Sequence, residues 1–194
     1  MQKILLFIAV GVAFAISFTS CVKKDKLSET EITTYIAQGD SISQLAFKAL
    51  SSRLQKAIQD SGAAYAVQYC NLVALPLTDS IGRVSGTVIR RTSLQWRNEQ
   101  NKPTAAELDI LRAYESDIKA GNKLLPGVRL TTDNKVLYTA PIMIMPLCLN
   151  CHGEPGKDIS AGVMDQLSFR YPADKATGYH AGDWRGMWSI TLQR

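Results

Sequence analysis

Lys135-Val136-Leu137-Tyr138-Thr139-Ala140-Pro141-Ile142-Met143-Ile144-Met145-Pro146-Leu147-Cys148-Leu149-Asn150-Cys151-His152 is a strand pattern that runs straight into a chemical motif. Residues 135–143 are largely apolar and β-prone. With Val128 to Leu130 and the turn Thr132-Asp133-Asn134 before them, they predict an antiparallel hairpin. Cys148, Cys151 and His152 then form C-x-x-C-H, the pattern of covalent c-type haem attachment. In that chemistry two thiols reach the two vinyl groups of one porphyrin while the adjacent imidazole reaches its iron. One covalent haem c on Cys148 and Cys151, with His152 as an axial ligand, is therefore expected.

Upstream of the hairpin the pattern is helical. From Asp40 or Ser41, apolar residues recur at Ile42, Leu45, Ala46, Ala49, Leu50, Leu54, Ala57 and Ile58, which predicts a long amphipathic helix. Ser61-Gly62 loosens or interrupts it, and Ala63 to Ala74 continues helically until Pro76 is expected to turn the chain. Leu77 to Ile81 adds a turn before Gly82, and Val84 to Thr92 reads as β-rich, with Gly86 as a bulge or close-approach point. Trp96 to Asn101 is a polar loop. Pro103 then opens a helix carrying Leu108, Leu111, Tyr114 and Ile118, closed by Gly121. Downstream of His152, Gly153-Glu154-Pro155-Gly156 reads as a loop, Ile159 to Phe169 as a short helix ended at Tyr171-Pro172, and Trp188 to Leu192 as a last strand. Helices first, then strands with intervening helices, predict an α+β fold with an antiparallel sheet.

The N-terminus has Lys3, an apolar run from Ile4 to Phe18, and Thr19-Ser20-Cys21 before polar residues. That is the layout of a secretory signal, and the run is shorter than the roughly 20 residues that span a bilayer. Phe18-Thr19-Ser20-Cys21 is similar to a bacterial lipobox, with Phe18 where Leu is usual. Residues 1–20 are accordingly expected to be a lipoprotein signal peptide, with Cys21 lipidated, and 21–39 a polar tether without a core. Residues 40–194 are left as the domain. This places the protein in a bacterial cell envelope, facing the periplasm and lipid-anchored to the inner or outer membrane. Simple secretion, with Cys21 an ordinary thiol, is the plainer alternative. At 194 residues with a net charge of +5 spread along the chain, no basic stripe interleaved with aromatics points to a nucleic acid.

Export changes the reading of the remaining thiols, because an oxidising compartment pairs cysteines that lipid, metal or haem does not occupy. With Cys21, Cys148 and Cys151 assigned, Cys70 is left over. Its helical neighbours Ala66, Val67, Val73 and Ala74 are all apolar, so the thiol is expected to face inward. Two rivals to haem stand beside this: a Cys₃His zinc site built from Cys70, Cys148, Cys151 and His152, and a disulfide. Zinc sites more often pair two knuckles, and this chain has one. For the second iron ligand the sequence offers Cys70, His180, Met143, Met145, Met164, Met187, or none. Met143 and Met145 alternate with Ile142 and Ile144, which by itself suggests core packing.

Several separated motifs carry a resemblance. Ala66-Val67-Gln68-Tyr69-Cys70, Arg91-Thr92-Ser93-Leu94-Gln95-Trp96-Arg97-Asn98, the haem motif followed by Gly153, Tyr171-Pro172, and Gly182-Asp183-Trp184-Arg185-Gly186 occur in one order over residues 40–194. Together they resemble the DUF3365, or Tll0287-like, haem domain family; Trp96 departs from it, where Pro is common. The resemblance implies a PAS-like fold: a central antiparallel sheet with flanking helices and the long N-terminal helix, holding one c-type haem. It further implies His and Cys axial ligation, which falls here on His152 and Cys70. Arg91, Arg97 and Arg185, near the shared motifs, are candidates to meet the haem propionates; solvation, or pairing with an acid such as Asp183, is the other reading of each. Asp183 itself reads as a turn residue.

Three functional classes follow. A membrane-tethered redox or gas sensor uses a replaceable Cys70 ligand, and since no output module follows the last strand, a separate redox or signalling protein must take the message. A cell-envelope electron carrier instead needs ligation that is the same in both oxidation states. An enzyme such as a peroxidase needs a distal acid-base residue, for which only His180 could be named.

Overall fold

The computed structural model describes residues 26–194, so the expected signal segment and Cys21 lie outside the described residues. The first element, α1 (Glu29–Ser85), starts earlier than the apolar periodicity suggests. Ser28 caps it, its hydroxyl accepting from the Glu31 N–H while the Glu31 carboxylate accepts from the Ser28 N–H. Residues 29–39, expected as polar tether, are therefore helical, and Leu27 and Tyr35 pack on the main core.

The close approach of this helix to the sheet occurs at Gly39. A Cβ there would stand 2.2 Å from the Tyr138 ring, and the Tyr138 hydroxyl donates to the Asp40 carboxylate one residue on. Gly39→Ala is expected to cost about 1–3 kcal/mol through overpacking. Chemical denaturation would show it as a lower midpoint at unchanged slope.

Gly62 breaks α1 with φ 81° and ψ 169°, a conformation essentially confined to glycine. The chain doubles back there, because Ile42 before the break and Ile81 after it pack on the same core. Pro76 does not end the second limb; Thr78, buried beyond it, donates to the carbonyls of Ala74 and Leu75. Helix persists to Ser85, and Gly86 is its left-handed C-cap (φ 65°) rather than a bulge.

β1 (Val88–Thr92) follows, then α2 (Ala105–Lys119), capped by Thr104 with Glu107. Next come β2 (Gly127–Leu130), β3 (Val136–Met143), the short helix α3 (Leu149–His152), α4 (Ala161–Arg170) and β4 (Trp184–Leu192). The last strand starts before the expected Trp188. All pairings are antiparallel, in the order β1-β4-β3-β2. This is the α+β architecture expected, a central antiparallel sheet flanked by helices with a long N-terminal helix.

Strand alternation assigns the two faces. Val136, Tyr138 and Ala140 of β3 with Trp188, Ile190 and Leu192 of β4 meet α1. Leu137 and Met187 meet Ile110, Leu111 and Tyr114 of α2 on the other side. Arg91 pairs in register with Trp188 and so belongs to the α1 face, near the end of the sheet where β3 runs out toward α3.

Candidate functional site

At that end of the α1 face lies a cavity of about 320 Å³, within the roughly 300–1,000 Å³ range of ligand-sized pockets. Its walls come from both limbs of α1, the ends of β1 and β4, and the segment from β3 into α3. Phe47, Leu50, Leu54 and Ile58, with Ser51 and Gln55 between them, make the first limb's contribution mostly apolar, and Cys70 comes from the second limb.

Cys148, Cys151 and His152 reach the cavity because the chain leaves β3 through the buried Ile144 and tightens into a 3₁₀ turn, Pro146–Cys148, that continues into α3. Cysteines three apart on one helical turn lie on one side of it. No disulfide joins Cys70, Cys148 and Cys151. Among the described residues no three His, Cys, Asp or Glu side chains converge on a point that could hold a metal ion, so the Cys₃His zinc reading lacks its cluster. Burial pushes both the Cys70 and Cys151 thiols upward in pKa, opposed by Arg91 for the first and Arg97 for the second.

His152 is held in one tautomer. Its Nδ1 lies 2.7 Å from the Ala176 carbonyl oxygen, an acceptor only, so Nδ1 carries the hydrogen and Nε2 keeps its lone pair. Burial, with the charges of Arg97 and Arg185, holds its pKa well below the ordinary imidazole value, against the pull of the Ala176 carbonyl. Tyr179 stands edge-on to the ring at 6.3 Å, and its N–H donates to the His152 carbonyl at 2.9 Å. A neutral imidazole fixed through its second nitrogen is the form that ligates a metal.

The three arginines divide. Arg97 is taken up structurally: Nε donates to Asp174 Oδ2 at 3.0 Å, and Nη2 to the carbonyls of Cys151 and Ala176. These bonds make it a bracket that holds the motif to the 174–176 loop while it also lines the cavity. Arg185 donates to the Gln95 carbonyl at 2.9 Å and lies beside the Tyr179 ring. Arg91 lines the cavity with no hydrogen-bond acceptor for its guanidinium among the described residues, and that group lies 6.0 Å from the Trp188 ring centroid. It is the arginine of the three with its donors open to an anion.

Of the remaining ligand candidates, His180 is exposed, its Nδ1 3.5 Å from Asp183, whose carboxylate also accepts from the His180 N–H at 2.7 Å to fix the expected turn. Met187 is fully buried beneath α2, and Met164, on α4, packs into the cluster of Val67, Ile159, Val163 and Leu167. Met143 and Met145 are not core residues: they line the cavity and are 45% and 42% exposed. Sequence reasoning missed Asp174, Ala176 and Tyr179, which act through contacts with distant segments and carry no local motif.

The donor set suits an iron porphyrin: adjacent thiols for its edge, a neutral imidazole, a second thiol from another element, apolar walls, and an open cation for a carboxylate. A model of the Tll0287-like family matches residues 25–193. Among solved structures, the crystal structure of the cyanobacterial heme-protein Tll0287 is similar, with a TM-score of 0.53 and 22% identity over 80% of this chain and 96% of that one. No curated protein matches this sequence.

Proposed function

Because the chain belongs to the Tll0287-like family, we propose that it is an exported, membrane-tethered protein holding one covalent haem c, with His152 and Cys70 as axial ligands, and that it acts in redox or gas sensing. The observation that carries this reading is the convergence of Cys148, Cys151, His152 and Cys70 on one cavity. When bound, the haem supplies a one-electron couple and a site for a diatomic gas. His152 offers Nε2 because Ala176 holds Nδ1, and Arg97 fixes the backbone from which both attachment thiols project. Arg91 would meet a propionate, with Arg185 beside it on the cavity wall. A thiolate from Cys70 donates charge and favours the ferric state, placing the potential low within the ~0.8 V span that axial ligands cover. With haem bound, Cys70 would be the ligand lost on reduction or displaced by a gas, on the limb of α1 that follows the Gly62 break. Lipidation at Cys21 would supply the membrane tether, facing the periplasm.

A cell-envelope electron carrier is the second reading, favoured by Met143 and Met145, whose exposure leaves one edge of the cavity accessible. A peroxidase is disfavoured by the position of His180 outside the cavity wall. Absorption spectra of the purified protein in ferric, ferrous and carbon-monoxide-treated forms test the choice. Haem that survives denaturing extraction on the chain, with spectra showing a ligand change on reduction, is the expected result. Redox-invariant ligation would favour the carrier. A colourless protein containing zinc would sink both.

A further inference from the structure

Trp96 is a wall of the cavity on one side and a platform for two cations on the other. Lys175 Nζ lies 3.9 Å and Lys102 Nζ 5.5 Å from its ring centroid. Both lysines are exposed, and their backbones are pinned: the Lys175 N–H donates to the Trp96 carbonyl at 3.1 Å, and Arg90 Nη2 donates to the Lys102 carbonyl at 2.9 Å. Neither ammonium has a carboxylate within ion-pair distance among the described residues. Asp174, next to Lys175, is committed to Arg97 and to the Ala176 N–H, and Glu99, three residues before Lys102, is exposed and makes no ion pair with it. Two like charges fixed around one indole repel each other, and an external anionic group relieves that repulsion.

We propose that Lys102 and Lys175, seated around Trp96, form the docking point for an acidic protein that exchanges one electron with the group held in the cavity. The proposal rests on the haem reading above and adds the partner to it. A single electron passes and no bond is made or broken; the donor is oxidised by one unit as the acceptor is reduced. Docking at this spot puts the partner one side chain from the cavity, and its acidic face is selected by charge.

Small oxidants of opposite charge test this on the full holoprotein. Reduced wild type is mixed with ferricyanide, an anion, or with hexaammineruthenium(III), a cation, at low and physiological ionic strength. Ferricyanide is expected to oxidise it faster than the driving force alone predicts, with the advantage fading in salt. The reversal K102E/K175E is expected to slow ferricyanide about 10-fold or more at low salt and to speed the ruthenium complex. K119E/K123E makes the same change of net charge at the other end of α2, roughly 20 Å away along that helix by its 1.5 Å rise, and is expected to leave both rates near wild type. K102R/K175R should retain the ferricyanide preference. Equal effects of the two reversals would mean that net charge alone steers the oxidant, which overturns the docking point. Absence of any ferrous–ferric couple would overturn the haem reading and this proposal together, whereas an intact couple with unchanged selectivity removes only this one.

Discussion

If Cys70 ligates the haem iron as proposed, Cys70→Ala is expected to abolish a ferric thiolate signature, changing both the absorption and the electron paramagnetic resonance spectra from those of a His/Cys centre. The midpoint potential should rise by a sizeable part of the roughly 0.8 V that axial ligands span, because the charge donated by sulfur is gone. Stability should change little, since the thiol is only partly buried and lines a cavity rather than filling the core. His180→Ala serves as the control and should leave both spectra untouched, given that its ring is at the surface. Ferric spectra of Cys70→Ala indistinguishable from wild type would remove this ligand, and Met143 and Met145, which line the same cavity, would be the next to test.

Arg97→Ala should be the most damaging single change to the architecture of the site. Arg97 and Asp174 form an ion pair at 3.0 Å in which the side chains are only 13% and 12% exposed. Removing the guanidinium strands a buried carboxylate, which costs about 3–5 kcal/mol, and takes a donor from the carbonyls of Cys151 and Ala176. The second of those carbonyls also orients His152, so the yield of covalently attached haem should drop with the unfolding midpoint. Arg97→Lys keeps the charge but not the planar fork, and recovers part of the loss. Because the stranded carboxylate is the main cost, Arg97→Ala with Asp174→Ala should be less harmful than the two single effects added together. A denaturation midpoint for Arg97→Ala within about 1 kcal/mol of wild type would show that the bracket is dispensable.

The hairpin, α2 and the placing of Cys148 and Cys151 on one side of a turn were legible because each has a local cause: alternation around a turn, a capped 3.6-residue period, and a fixed spacing of thiols. The inward direction of Cys70 was legible for the same reason, from its apolar helical neighbours. What stayed hidden depends on distant partners. Residues 29–39 look polar, yet Gly39 is the point where α1 presses on Tyr138. Pro76 looks like a stop, yet the packing of Ile81 beyond it keeps the helix going. Arg97 gives no sign in the sequence of Asp174 and the two carbonyls that the fold brings to it.

β4 follows the other three strands in the chain but lies between β1 and β3 in the sheet. As the chain emerges N-terminus first, therefore, β1 and the β2–β3 hairpin cannot be joined until β4 arrives, and the thiols of α3 precede the strand that completes the sheet. If haem is attached at Cys148 and Cys151 as proposed, that step could act on a half-assembled receptacle, which β4, bringing Trp188 and Arg185, would then close. Maturation and folding would share one clock, set by strand order.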